Sequence, residues 1–102
     1  MNINTLQHTV SEMVKRYNLT TAIEMRYIDL VSEVGELGKE ILKGNSYGKT
    51  AFNATENIKH EMGDIFFSLI CMANILEIDM EKALGGAMKK YEQRFLATGK
   101  IR

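Results

Sequence analysis

The run Tyr27-Ile28-Asp29-Leu30-Val31-Ser32-Glu33-Val34-Gly35-Glu36-Leu37-Gly38-Lys39-Glu40-Ile41 decides the fold class. Its apolar members Tyr27, Leu30, Val31, Val34, Leu37 and Ile41 recur with the period of an α-helix. With Leu30 taken as zero on a wheel of about 100° per residue, Tyr27, Val34, Leu37 and Ile41 fall between roughly −20° and +60°. Asp29, Glu33, Glu36 and Glu40 fall between roughly −120° and −60° on the same wheel. An acidic stripe therefore borders the apolar face.

The pattern repeats downstream. Glu33-Val34-Gly35-Glu36-Leu37 returns as Glu61-Met62-Gly63-Asp64-Ile65, each reading acid, apolar, glycine, acid, apolar. Acids three residues apart on a helix project from one side and can share a ligand. On the second run Glu61, Asp64 and Ser68 again border the apolar face, so a bundle can bring the two acidic edges together. Uncompensated carboxylates raise one another's pKa and oppose folding, unless a cation sits among them. An all-oxygen set favours Mg²⁺, Mn²⁺ or Ca²⁺ over zinc. His60, adjacent to Glu61, points about 100° away from it. Gly35 and Gly63 lie on the opposite border of the apolar face, where close helix–helix approach is the expected reason for them.

Outward from these runs, the helical period continues. Leu6, Val10, Met13, Val14 and Tyr17 mark a first helix over residues 3–17. Asn18-Leu19-Thr20-Thr21 supplies turn and N-cap chemistry before the second, which Gly44-Asn45 can end. Residues 45–50 form the clear loop. Asn53 or Thr55 caps a third helix carrying Ile58, Met62, Ile65, Phe66, Leu69, Met72, Ala73 and Leu76. Asp79 caps a fourth, running through Leu84, Met88, Tyr91 and Phe95. Four helices with short connections predict an all-α bundle, with residues 1–102 as a single domain.

Composition narrows the class. The chain has 102 residues, 45% of them hydrophobic and 25% charged, an ordinary globular mixture. The apolar runs are too short and interrupted to span a bilayer. Residues 1–5 lack the basic and apolar segments of a signal peptide, so a cytoplasmic location is expected. Lone Cys71 excludes an internal disulfide and any zinc site built from several cysteines. Formal net charge is zero, which argues against a general nucleic-acid or membrane binder. The charge is uneven, however. Residues 29–64 carry a balance of −3, and residues 89–102, with Lys89, Lys90, Arg94, Lys100 and Arg102 against Glu92, a balance of +4. Seven methionines give an adaptable core, and the modest size makes oligomerisation plausible.

The ordered set resembles the E-x-x-E…E-x-x-D signature of MazG-like nucleotide pyrophosphohydrolases. The segment from Met72 to Leu84 is similar to that family's link into its last helix, and Lys90-Tyr91-Glu92-Gln93-Arg94-Phe95 to its basic-aromatic ending. The resemblance spans about residues 19–96 and implies a four-helix, oligomeric MazG-like bundle. It further implies Mg²⁺-dependent hydrolysis of a nucleoside triphosphate at the α–β bond, giving a monophosphate and pyrophosphate. Mn²⁺ is a possible substitute. By position Glu33, Glu36, Glu61 and Asp64 would be metal ligands, with Glu36 and Glu61 catalytic. Read on their own chemistry, Lys89, Lys90 and Arg94 are expected to meet phosphates, with a solvated basic helix end as the alternative, and Asn18, Arg26 and Tyr47, near the expected mouth, to meet the nucleoside. A homodimer or homotetramer is expected, with no nucleic-acid polymer and no membrane as partner.

Two departures stand out. Many relatives carry a second acid where this chain has Ser32, and Glu40 one turn later could substitute. Many carry an asparagine where this chain has Met88. Phosphoribosyl-ATP pyrophosphohydrolase and a non-catalytic helical binding module are the rival readings. A di-iron bundle fits poorly, because neither acidic motif holds a Glu-x-x-His pair.

Overall fold

Asn2 starts the first helix by a reciprocal exchange. Its Oδ1 accepts from the Thr5 N–H at 2.8 Å, and the Asn2 N–H donates to Thr5 Oγ1 at 2.9 Å. The computed structural model describes residues 1–101; Arg102, counted above in the basic tail, lies outside them. Helix α1 spans Ile3–Arg16, α2 Ile23–Gly44, α3 Glu56–Ile75 and α4 Met80–Thr98. There is no strand among the described residues, in keeping with the all-α expectation.

Most ends follow the sequence signals. Asn45 is the C-cap of α2, and Asp79 Oδ1 accepts from the Lys82 N–H at 3.0 Å to cap α4. Helix α4 ends at Gly99, whose φ of 76° is left-handed and suits glycine. One cap assignment needs correction, and at another one of the two alternatives holds. Helix α2 has Ala22 at its N-cap with no side-chain cap bond, and Thr20 Oγ1 instead accepts from the Ala22 N–H at 3.2 Å. At α3 the N-cap is Thr55 rather than Asn53, but its hydroxyl turns away from the helix and donates to Glu40 Oε2 at 3.0 Å.

Helices α2 and α3 are the principal packed pair, and they run antiparallel. The register is visible from one end to the other: Glu40 meets Thr55 and Asn57, Glu33 meets Glu61 and Asp64, and Arg26 lies over Phe67. Helix α1 packs on α3 and also touches α4. Gln7 makes that junction. Its Nε2 donates to Asn74 Oδ1 at 3.2 Å and to the Ile78 carbonyl at 2.9 Å, while its Oε1 accepts from the Met80 N–H at 2.8 Å. Asn74 Nδ2 returns a bond to the Gln7 carbonyl at 3.0 Å. One buried amide therefore ties the end of α3 and the start of α4 to α1.

The face that α2 buries is not the centre of its apolar stripe. Arg26, Glu40 and Gly44 are buried, and Leu30, Glu33 and Leu37 are half-buried. Tyr27, Val31, Val34 and Ile41 remain exposed, Val34 at 51%. On α3, Met62 and Phe66 are likewise exposed, Phe66 at 49%. The hydrogen bonds of Glu40 and the stacking of Arg26 rotate the pair so that it meets along its acidic edge. The apolar stripe is left outside. Gly35 and Gly63 correct the close-approach expectation, since a Cβ added at either would meet nothing within 4 Å. Gly44 is the helical glycine with a steric reason. There a Cβ would lie 2.6 Å from a Phe52 ring carbon and 2.7 Å from the Asn53 carbonyl, because the loop folds back on the end of α2.

The fully buried apolar core is small: Ile70, Cys71 and Ala73. The radius of gyration is 16.8 Å, against about 13 Å for a compact chain of this length. Helix α4, which has no buried residue and packs mainly on α1, accounts for much of that openness.

Candidate metal centre

The antiparallel register of α2 and α3 sets Glu33 opposite Glu61 and Asp64. One carboxylate oxygen from each of the three lies within 4.8 Å of the others. Glu33 and Glu61 are half-buried and Asp64 is exposed, so the cluster opens to solvent on one side. Glu61 Oε2 is buried with no hydrogen-bond partner. An orphaned acceptor of this kind is costly and calls for a proton or a cation.

Electrostatics agree. Partial burial pushes the Glu33 carboxyl above its ordinary range, aided by a hydrogen bond with Glu61 that needs a proton and by the charges of Asp64, Glu61 and Glu36. Among the described residues the ion pairs are Lys15–Glu12, Arg26–Asp29 and Lys43–Glu40, none of which reaches the trio. Three oxygen donors without histidine, cysteine or a neutralising side chain fit a hard divalent cation. His60 is exposed and stands apart from the cluster.

The other residues expected at a site are distributed differently. Glu36 is exposed and lies outside the trio, although its charge still reaches Glu33. Glu40 has no free carboxylate to substitute for Ser32: it is buried, with Oε1 accepting from Lys43 at 3.2 Å and Asn57 at 3.5 Å, and Oε2 from Thr55. Burial alone would raise its pKa, but Lys43, Thr55 and Asn57 outweigh that and hold it below the ordinary range. Glu40 is thus a latch joining α2 to the start of α3. Sequence showed its place in the acidic stripe, but not the partners arriving from a loop.

The three residues expected to meet the nucleoside do not form one cluster, since Tyr47 lies at the opposite end of α2 from Asn18 and Arg26. Asn18 precedes α2 with a left-handed φ of 50°, and Tyr47 follows the far end of α2 with a φ of 59°. Arg26 is buried, its Nε donating to the Thr20 carbonyl at 3.1 Å, its guanidinium 3.7 Å from Asp29 and stacked on Phe67. Lys89, Lys90 and Arg94 are exposed on α4, with Lys90 and Arg94 over the Tyr91 ring. Among the described residues no hydrogen bond or ion pair joins them to the trio. Cys71, buried on α3, has its thiol pKa raised by desolvation, only partly offset by Arg26, the setting of a structural cysteine.

A family model described as the MazG nucleotide pyrophosphohydrolase domain matches residues 22–95, which contain both acidic runs. The chain belongs to that family. The uncharacterised protein YpjD of Bacillus subtilis strain 168 is 40% identical over 68 residues, which cover 64% of this chain and 60% of YpjD. The chain therefore matches about three fifths of that relative's length. A crystal structure of Bacillus subtilis YpjD, provisionally assigned as a pyrophosphatase, superposes with a TM-score of 0.76 at 27% identity. It covers 92% of this chain and 96% of its own. Membership assigns a nucleotide pyrophosphohydrolase domain, and the trio lies within the matched residues. No helix among the described residues is long and apolar enough to cross a membrane.

Proposed function

We propose that the chain hydrolyses nucleoside or deoxynucleoside triphosphates at the α–β bond, releasing the monophosphate and pyrophosphate. The observation that carries this is the Glu33–Glu61–Asp64 trio with its orphaned Glu61 oxygen. Glu33, Glu61 and Asp64 would hold Mg²⁺, or Mn²⁺ in its place, with Glu36 completing the set from one turn along α2. A cation bound there supplies the charge that lets a polyanion approach the carboxylates and polarises the scissile phosphoryl group. Glu36, exposed one turn along α2 from Glu33, would keep its second carboxylate oxygen toward the attacking water and take its proton, while Glu61 would hold the direction of attack from its half-buried position. The bridging oxygen leaves with pyrophosphate.

Lys89, Lys90 and Arg94 would neutralise the outer phosphates, whose charge persists in the transition state. Because α4 packs mainly on α1, we assign those cations to a second copy of the chain. The exposed stripe of Tyr27, Val31, Val34, Met62 and Phe66 is the surface for that assembly, a homodimer or homotetramer. Gly35 and Gly63 border it, where a missing side chain favours close approach between copies. Housekeeping of the cytoplasmic nucleotide pool is the role that suits this chemistry.

The test is product analysis. Purified protein is incubated with each common NTP and dNTP, with and without Mg²⁺, and the products are resolved by chromatography. Metal-dependent monophosphate and pyrophosphate are expected. Diphosphate and orthophosphate would show that the wrong bond has been assigned.

A further inference from the structure

We infer that a cavity between the C-terminal half of α1, the α1–α2 connection and the end of α3 receives the nucleobase of the substrate. This rests on the nucleotide reading above. The cavity holds about 340 Å³, within the range of roughly 300–1,000 Å³ usual for small-molecule sites. Val14, Cys71 and Ile75 give it apolar walls, and Ser11, Thr21 and Asn74 line it with neutral hydrogen-bonding groups. That is the composition a flat, uncharged heterocycle with donor and acceptor edges requires, and it does not suit a phosphate. The charged group at its rim, Lys15, is exposed and pairs with Glu12 at 3.9 Å.

Position argues the same way. On the α3 wheel Cys71 and Ile75 fall at roughly −120° and −80°, the edge that carries Asp64 and Glu61. Cys71 is two turns beyond Asp64, about 10 Å along the helix axis, a gap that a sugar and the α-phosphate can bridge. In the opposite direction the α2–α3 seam is closed by Glu40 with Lys43, Thr55 and Asn57. Toward the cavity the seam carries Arg26 stacked on Phe67, and the base of a nucleotide with its phosphates at the trio would lie beyond that pair.

The polar groups are set in advance. Asn74 is fixed by its paired bonds with the Gln7 side chain and carbonyl. One N–H and one lone pair remain on its amide, a donor and an acceptor side by side. The Ser11 and Thr21 hydroxyls have no hydrogen-bond partner among the described residues, and both are available to a base edge. Arg26 backs the connection by holding the Thr20 carbonyl at 3.1 Å. Its role is to position Thr20 and Thr21 and not to touch the nucleotide.

The experiment is saturation-transfer NMR on the full chain with adenosine, guanosine, cytidine, uridine and thymidine, none of which carries a phosphate. At least one nucleoside should show transfer to its base protons. Excess pyrophosphate should leave that signal in place, and Ser11→Leu, which fills the cavity from the rim, should remove it while retaining a cooperative melt. Thr21→Val keeps the side-chain shape and deletes one hydroxyl. It should narrow the ratio of kcat/KM between the best and worst bases by about 3–10-fold, and it serves as the second variant should Ser11→Leu not fold. No signal from any nucleoside, or a signal that survives in a folded Ser11→Leu protein, overturns the cavity assignment. So does an unchanged base ratio in Thr21→Val. Absence of nucleotide hydrolysis would instead strike the proposed function, leaving the NMR result to decide the cavity alone.

Discussion

At the trio, folding and function pull against each other. Glu33, Glu61 and Asp64 crowd three carboxylates together, and the folded state keeps a proton on Glu33 more tightly than the unfolded chain does. A group whose folded pKa is raised loses its stabilising contribution as pH climbs from the unfolded value through the folded one. Without a divalent cation, Glu33→Gln should therefore raise the melting temperature near neutral pH, and the gain should shrink when Mg²⁺ is added to both proteins. A lower melting point for metal-free Glu33→Gln would contradict the repulsion. Gly44 gives a second prediction at this scale. Glycine to alanine inside a helix usually gains about 1 kcal/mol, but Gly44→Ala drives a Cβ into the Asn53 carbonyl and the Phe52 ring. Chemical denaturation should show a loss of about 1–3 kcal/mol. Sequence located the acids, and the arithmetic of the wheel placed them on one edge. It could not single out the glycine with the steric constraint, because that depends on a loop returning to the helix.

At the scale of the element, the four helices were legible from apolar period and end signals, with Asp79 and Gly44-Asn45 marking boundaries that the structure keeps. The packing face was not. A wheel shows where apolar residues cluster, but the contribution of Arg26 and Glu40 depends on partners distant in sequence. Their contacts with Phe67, Thr55 and Asn57 turn α2 toward its acidic edge. The Glu40 latch makes a prediction about acid. A group whose folded pKa is lowered stabilises the fold above its unfolded pKa and loses that contribution as pH falls through the folded value. Stability should decline as the medium drops below the ordinary carboxylate range, about pH 4, and Glu40→Gln should flatten that part of the profile. Thermal melts of the two proteins across acid pH check it. Identical slopes would show that the latch contributes nothing.

The protomer is open, with a radius of gyration of 16.8 Å, few fully buried residues and a long apolar stripe exposed on α2 and α3. A hydrophobic face of that extent on a small chain is the surface we propose for assembly. Chain length and methionine content pointed to oligomerisation, and the surface proposed for it follows only from the packing face of α2. Light scattering coupled to size exclusion should give two or four times the 11.6 kDa chain mass. Val34→Glu should shift the mass toward one chain and lower pyrophosphate release as well, because the basic end of α4 would no longer reach the trio. A wild-type protein of single-chain mass that still turns over would contradict the assignment of Lys89, Lys90 and Arg94 to a second copy.

The central claim, that the trio is the metal-dependent catalytic centre, is tested most directly by pyrophosphate release as a function of Mg²⁺ concentration for the wild type and Glu61→Gln. Release should rise and saturate with Mg²⁺ in the wild type and fall about 100-fold or more in the variant at saturating metal. Release that is independent of Mg²⁺, or undiminished in a folded Glu61→Gln protein, would contradict it.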